Sequence, residues 1–124
     1  MKKIFILFVI IINNLFANFS DFGPYDVLVI DGSISSSNGE LISYKLFEPD
    51  QMTVSPHVIL THGFFRNQNV MVGLAEHYAS WGIRVLTMNL LHSSFIDNNP
   101  IQDAQDLNLL SNEIFESSPV IYMG

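Results

Sequence analysis

Short apolar runs alternate with amphipathic stretches in the second half of the sequence, and this alternation constrains the fold more than any other feature. Residues 57–63, HVILTHG, have an apolar centre typical of a strand covered on both faces, and residues 84–90 and 120–123 form two further apolar runs. Two stretches between them, residues 69–81 and the segment beginning at Asn99, repeat apolar residues at helical spacing. Such alternation builds a parallel sheet with helices on its faces. The pattern therefore predicts the α/β class.

The ends of both predicted helices carry recognisable signals. The apolar stripe of the first helix comprises Met71, Leu74, Ala75, Tyr78 and Trp81. Gly82 is well placed to end this helix, because glycine tolerates the left-handed backbone of a helix C-terminus. At the second helix, the capping side chain of Asn99 is followed by Pro100 in the first turn. The stripe of this helix comprises Ile101, Ala104, Leu107, Leu110 and Ile114.

The first half of the sequence predicts an antiparallel hairpin. Residues 27–30 form a short apolar run, and residues 41–47 alternate as in a half-buried strand. Asn38 and Gly39 lie between them and tolerate the positive φ of a tight turn. The predicted order is therefore hairpin, strand, helix, strand, helix, strand.

The N-terminus has the features of a secretory signal peptide. Two lysines follow the initiating methionine, an uncharged apolar stretch occupies residues 4–12, and a small residue, Ala17, ends the segment. The apolar stretch is shorter than the ~20 residues that span a bilayer, so we expect no integral membrane span. We expect cleavage after Ala17, although an uncleaved anchor stays open because Leu15 stands where a small residue is preferred. The sequence thus predicts a signal peptide over residues 1–17, a domain portion over residues 18–124, and export to the periplasm or beyond.

Charge excludes one class of partner. Without the two lysines of the leader, Lys45, Arg66 and Arg84 stand against twelve acidic residues, a formal net charge of −9. Nucleic acid is excluded as a partner, because phosphate recognition needs clustered cations. The sequence has no cysteine, so its own core or a larger assembly must stabilise the fold without disulfides.

In the order and separation of five stretches, the chain resembles the secreted esterase-like branch of the α/β-hydrolase superfamily, which includes dienelactone-hydrolase-like, chlorophyllase-like and cutinase-like enzymes. The stretches are GPYDV, HVILTHGFF, LAEHYASWGIRVLTMNL, DNNPIQDAQDLNLL and PVIYMG, and the resemblance extends over roughly residues 22–124. The resemblance implies a partial α/β-hydrolase sheet whose C-terminal half lies beyond this chain.

The last run carries the strongest functional implication. In the family, the matching strand leads into a G-x-S-x-G turn whose serine attacks the ester, and the resemblance places Gly124 at the first glycine of that turn. No other glycine of the sequence starts a G-x-S-x-G motif. The acid and the histidine of the triad follow the serine in chain order. The resemblance therefore implies a truncated hydrolase, ancestrally a serine esterase for a small-molecule ester, that is inactive alone.

Half of an oxyanion hole is expected within the chain. By resemblance, the backbone N–H of Phe64 is a donor, with His62 and Gly63 forming the turn before it. Phe65 and His92 are candidates to line the substrate pocket. Two alternatives stay open: His62 as a turn residue bonded to nearby backbone instead of a base, and Gly63 as an ordinary turn glycine.

Neither a metal site nor a cofactor is predicted. His57 and His62 are five residues apart on one strand, so their side chains point to opposite faces, and no thiolate or tight carboxylate cluster joins them. Asp103 and Asp106 share a face near the start of the second helix, where acids favour the helix dipole, so charge placement is the expected role.

A second class of function stays open beside the hydrolase. In this alternative, the chain is a small exported, non-catalytic α/β binding module that completes its sheet by dimerisation. In either case we expect residues 120–123 to form an exposed apolar edge that promotes self-association and poor independent folding.

Overall fold

The computed structural model describes residues 21–53, 57–63, 66–116 and 118–124, so the predicted leader at residues 1–17 lies outside the described residues. The strands are β1 (Val27–Ser35), β2 (Leu41–Pro49), β3 (His57–Thr61), β4 (Val85–Met88) and β5 (Val120–Met123). The helices are a short 3₁₀ helix (Gln68–Met71), α1 (Val72–Ser80) and α2 (Pro100–Phe115). None of the helices in these ranges is long and apolar enough to cross a membrane.

The strands form one mixed sheet in the order β1-β2-β4-β3-β5. β2 runs antiparallel to both β1 and β4, whereas β3 runs parallel to β4 on one side and to β5 on the other. Helix α1 connects β3 to β4, and α2 leads from β4 back past β3 to β5. This arrangement confirms the α/β class and the predicted order of hairpin, strand, helix, strand, helix, strand.

The hairpin is longer than its apolar runs. Pairing continues from Val27 with Pro49 to Ser35 with Leu41, because the backbone ladder does not depend on apolar side chains. Gly39 closes the turn with φ of 87°, and its N–H donates to the Ser36 carbonyl at 3.0 Å. The predicted Asn38-Gly39 turn is therefore present.

The two helices pack on opposite faces of the sheet, and each covers its own apolar cluster. Beneath α2 the buried residues are Ile42, Leu46, Ile59, Leu86, Met88, Leu110 and Phe115. Beneath α1 they are Phe47, Val58, Leu60, Ala75, Ala79 and Val85. Strands β3 and β4 contribute to both clusters, so the sheet is sandwiched at its centre as continuous apolar runs predict.

The beginning of α1 differs from the prediction. Residues 68–71 form a 3₁₀ helix instead of the first α turn, with the Asn67 side chain accepting from the Asn69 N–H at 2.9 Å. Gly82 follows the helix with φ of 89°, in the predicted position. The carbonyl of Gly82 accepts from the Thr53 N–H at 3.0 Å, which joins the end of this helix to the segment after β2.

The apolar stripe predicted for α2 is wrong in its first turns. Ile101 is 71% exposed, whereas Asp103 and Asp106 are buried. This half of the helix packs against polar segments instead of the apolar sheet, since the Asp103 carboxylate accepts the backbone N–H of His92 at 3.0 Å. The second half of the helix buries Leu110 as predicted.

Candidate functional site

The parallel strands end at a common edge of the sheet, where the direction of their connections reverses. From β3 the chain passes to β4 on one side, and from β4 it returns to β5 on the other side. Ligands of open α/β sheets bind at such a reversal, outside the carboxyl ends of the strands. The residues that leave this edge are His62 and Gly63 after β3, residues 89–92 after β4, and Gly124 after β5. We refer to these residues as the site edge.

Gly124 lies directly against the end of β3. The pairing of Leu60 with Met123 brings the two strand ends side by side, and the Thr61 hydroxyl donates to the Met123 carbonyl at 3.4 Å. A Cβ atom added at Gly124 would lie 2.3 Å from Thr61 Oγ1. A side chain at this position would therefore displace the threonine hydroxyl, whereas glycine fits without movement.

His62 joins the strand-end segments after β3 and β4. Its Nε2 accepts the backbone N–H of Leu90 at 2.8 Å, and its Nδ1 lies 2.9 Å from the Gly63 carbonyl oxygen. Because Nε2 acts as the acceptor, the proton resides on Nδ1 and is donated to Gly63. Both ring nitrogens are thus used within the backbone framework. The geometry favours the interpretation of His62 as a turn residue over its use as a base.

The turn after β3 is anchored at Gly63. Its carbonyl also accepts the N–H of Arg66 at 3.1 Å. A Cβ atom at Gly63 would meet no atom of the described residues within 4 Å, so the described packing does not require glycine here. Phe64 and Phe65, the predicted oxyanion donor and pocket residue, lie outside the described residues, so their roles stay predictions.

The side chain of His92 is buried between carboxylates. Its Nδ1 lies 2.6 Å from Asp97 Oδ2, and its Nε2 lies 2.9 Å from Glu40 Oε2. Burial by itself lowers the pKa of His92, but the hydrogen bond and charge of Asp97 and the charge of Glu40 outweigh it. The net effect raises the pKa of His92 above its ordinary value. The ring faces these acids, and the predicted pocket role of His92 stays a prediction.

Helix α2 contributes two buried acids beside His92. Burial raises the pKa of Asp103, and this effect exceeds the opposing hydrogen bond from the His92 backbone. Asp103 lies in the first turn of α2, where the sequence places it for the helix dipole. Asp106 Oδ1 accepts from the Gln102 side chain at 2.9 Å. Its other oxygen has no hydrogen-bond partner among the described residues.

Sequence reasoning missed Glu40 and Asp97 as neighbours of His92. Glu40 belongs to the hairpin turn, far from His92 in the chain, and no spacing pattern relates the two residues. Asp97 is only five residues away, but it lies in a loop without periodicity. Within the described part of the chain, no group of three or more histidine, cysteine, aspartate or glutamate side chains is arranged to hold a metal ion.

Comparison with known proteins yields structural matches alone. No protein-family model and no curated protein matches the chain. An α/β hydrolase from Novosphingobium aromaticivorans is similar at 22% identity and a TM-score of 0.61, over 84% of this chain and 36% of its own. A hypothetical protein from Pseudomonas aeruginosa is similar at 15% identity and a TM-score of 0.62, over 79% of this chain and 35% of its own. Brefeldin A esterase, a bacterial homologue of human hormone-sensitive lipase, is similar at 21% identity and a TM-score of 0.57, over 77% of this chain and 29% of its own.

These similarities establish the fold. The described sheet and its two helices form a partial α/β-hydrolase fold, which confirms the coarse part of the resemblance seen in the sequence. The chain spans about a third of the length of the structures that it matches.

Proposed function

We propose that the chain supplies the β3 turn and the β5 strand end of an acyl-hydrolase site, derived from a serine esterase of the secreted branch named above. One observation carries the proposal: Gly63 and Gly124 end neighbouring parallel strands, and Thr61 joins those strand ends. In α/β hydrolases the oxyanion hole combines an N–H from the loop after the third strand with the N–H that follows the nucleophile. On this proposal, Gly63 and Gly124 correspond to the glycines of those two turns.

The turn after β3 is held in position before any substrate binds. His62 fixes Gly63 to Leu90, and Arg66 adds a second hydrogen bond to the same carbonyl. An oxyanion donor acts through such preorganisation, and loss of one donor costs about 2.7–4 kcal/mol of transition-state stabilisation. On this proposal the backbone N–H of Phe64 is that donor, and a small-molecule ester is the substrate.

The 124-residue chain alone is expected to be inactive. It contains no G-x-S-x-G turn, and in this fold the acid and base follow the serine. A lone oxyanion donor has no nucleophile to assist. We therefore expect no labelling of the purified chain by a fluorophosphonate probe and no p-nitrophenyl acetate hydrolysis above the buffer rate. Serine-specific labelling would contradict this expectation.

Reading the transcript beyond the Gly124 codon tests the wider proposal. We expect one reading frame to continue into a serine turn, followed by an aspartate or glutamate and a histidine. The rejoined protein should hydrolyse short esters, and His62→Ala should lower its kcat/KM by up to about 10²-fold, because small misplacements of catalytic groups have effects of that size. His77→Ala, on α1, is the matched control. A transcript without such a frame would reduce the hydrolase proposal to ancestry.

Export also belongs to the proposal. It is supported by the charged, apolar and small-residue order at the N-terminus. Fractionation of expressing bacterial cells should recover a shortened chain outside the cytoplasm, with Asn18 as its first residue. Full-length chain confined to the cytoplasm would contradict export.

A second candidate, the dimeric binding module, is favoured by the exposure of β5. Ile121, Tyr122 and Met123 are 47%, 51% and 38% exposed, and in the described sheet no strand pairs with the outer edge of β5. Such an edge accepts a further strand from another chain. Sedimentation equilibrium should show a dimer that Tyr122→Lys dissociates. Leu28→Lys, on the opposite edge strand, is the matched control and should leave it intact, whereas a wild-type monomer at micromolar concentration would exclude this candidate.

A further inference from the structure

Three separate segments of the chain meet at the ring and backbone of His92. Glu40 comes from the turn between β1 and β2, Asp97 from the loop before α2, and Asp103 from the first turn of α2. The backbone carbonyl of His92 additionally accepts the N–H of Asn99 at 3.0 Å. His92 thus connects the hairpin turn, the loop and the helix, and the Gln102 side chain on α2 makes a second contact with the hairpin turn by donating to Ser37 Oγ at 3.4 Å.

This junction belongs to the site edge. Leu90 precedes His92 by two positions, and its N–H donates to Nε2 of His62. His62 in turn donates to the Gly63 carbonyl. The segment from Leu90 to His92 therefore contacts both the junction and the turn after β3.

We propose that His92 is a positioning residue whose protonated ring ties the hairpin turn to the site edge and releases it when the proton is lost. The protonated ring carries an N–H on each nitrogen: Nδ1 is hydrogen-bonded to Asp97, whereas Nε2 lies 2.9 Å from Glu40 Oε2 as an ion pair without hydrogen-bond alignment. A neutral ring keeps one donor, so its other nitrogen faces a carboxylate oxygen with no proton between them. The Asp97 side chain is 51% exposed and can turn into water at that point, whereas Glu40, 44% exposed, is also held by the Asn38 side chain, which donates to its Oε2 at 2.6 Å.

The charges around the junction favour the protonated ring. Glu40 faces the ring from the hairpin turn and Asp97 faces it from its own loop. Asp103 holds the His92 backbone N–H from α2, and Asp106 and His62 act electrostatically on Asp103. Burial lowers the pKa of His92, but Asp97 and Glu40 together raise it by more than burial lowers it. Because the pKa of His92 is higher in the folded chain than its unfolded value of about 6.5, the protonated ring stabilises the fold. This stabilisation is complete below about pH 6.5. The stabilisation is lost as the pH rises through the folded pKa.

The proton itself is observable by NMR. We expect the ring carbon and proton shifts of His92 in the full chain to titrate above pH 6.5, and Glu40→Gln or Asp97→Asn to lower the midpoint. Hydrogen exchange of the Leu90 amide reports the tie. Amide exchange accelerates with pH even in an unfolded chain. As the pH passes the His92 midpoint, the exchange rate of Leu90 should rise by more than this, by up to about tenfold for each unit by which the pKa of His92 is raised. In His92→Gln the amide should exchange faster than wild type at pH 6, without the additional pH dependence.

An ion pair on the same hairpin provides the control. Asp31→Asn removes the exposed contact with Lys45 and should change neither the His92 midpoint nor Leu90 exchange. A wild-type midpoint at or below 6.5, or Leu90 protection that stays constant through the midpoint, would overturn the proposal. Should His92→Gln fail to fold, Glu40→Gln retains the histidine and decides the question by the same two measurements. The tie does not require the proposed hydrolase function, so these readouts are independent of whether the rejoined protein hydrolyses esters.

Discussion

Strands β4 and β5 flank β3 on opposite sides, and both are four residues long and apolar, yet their burial differs sharply. All four residues of β4 are buried, whereas β5 has one half-buried residue and three exposed ones. β4 has β2 on its outer side and lies between the apolar clusters of both helices. β5 pairs with β3 alone among the described strands.

The contrast teaches that strand sequence sets the capacity for burial, while neighbouring elements decide whether it is used. An apolar side chain stabilises the fold in proportion to the area removed from water, at about 25 cal/mol per Å². β4 realises this contribution on both faces. β5 retains exposed apolar area on an edge with which no described strand pairs, and such an edge can pair with a strand of another chain.

Truncating an apolar side chain to alanine should show the largest difference in stability between β4 and β5. Leu86→Ala in β4 removes a fully buried side chain and should lower the free energy of unfolding by about 2–5 kcal/mol. Ile121→Ala in β5 removes a 47% exposed side chain and should cost about 1 kcal/mol or less. Urea unfolding followed by circular dichroism measures both variants.

The volume-conserving Leu86→Met is the control for the β4 site. Leu86→Met should lower the free energy of unfolding by less than about 1.5 kcal/mol. It should therefore remain folded even where Leu86→Ala is too unstable to fold. Equal losses for Leu86→Ala and Ile121→Ala would show that β5 is as well covered as β4, against the contrast drawn here.

The turns that lead into the two strands sharpen the comparison. α1 is followed by Gly82 at φ of 89° before β4, and a Cβ there would lie 2.0 Å from Thr53 Oγ1 and 3.0 Å from its backbone N. Gly82→Ala should therefore destabilise the fold by about 1–3 kcal/mol, because positive φ and a clash act together. Gly39→Ala is matched in φ at 87°, but the added carbon would meet no atom of the described residues within 4 Å. If the melting temperature falls less in Gly39→Ala than in Gly82→Ala, the difference measures the clash with Thr53. Equal falls would show that the clash adds nothing.

Before β5, positive φ occurs at a residue that is not glycine, and a side chain disfavours this backbone conformation. Glu116 has φ of 53° and ψ of −126° at the end of α2, and its side chain is exposed. Glu116→Gly should raise the free energy of unfolding by up to about 1 kcal/mol, because relief of strain exceeds the added entropy of the unfolded chain. Glu113→Gly, one turn earlier within the helix, should instead lower it by about 1 kcal/mol. A loss in both variants would show that Glu116 carries no strain.

The sequence predicted the architecture because periodicity reports burial averaged over a whole element. The strand at residues 120–123, the turn at Gly39 and the helix end at Gly82 all follow from local patterns that the folded chain satisfies. The pattern failed at Ile101 and Asp103, where the helix faces polar segments. A periodicity argument assumes an apolar partner, and the sequence does not state which element lies opposite.

The candidate site was predictable to the same extent. His62 and Gly63 were located at a strand end, and Gly124 beside them follows from parallel pairing. The contacts of His92 with Glu40 and Asp97 were not predictable, because they depend on how a hairpin turn and a loop meet in space. Such contacts leave no mark in residue spacing.

The smallest effect is expected from His57, which begins β3 and pairs with Val120 of β5. Its ring stacks on Phe115 with centroids 4.6 Å apart. Burial first, and then the positive charge of Arg84, lower the pKa of His57 in spite of the nearby Glu48. The neutral ring therefore contributes stability that is complete above about pH 6.5 and is lost as the pH falls through the lowered pKa, opposite in sign to His92.

Replacing His57 separates these two histidines and tests the join between β3 and β5. His57→Phe keeps a stacked ring but does not titrate, so the loss of unfolding free energy as the pH falls below about 6.5 should be smaller than in the wild type. The alkaline loss assigned to His92 should remain, because the two residues titrate in different pH ranges. His77→Phe, a partly exposed histidine on α1, should leave the acid dependence unchanged. An acid loss of wild-type size in His57→Phe would mean that protonation of His57 does not weaken the attachment of β5.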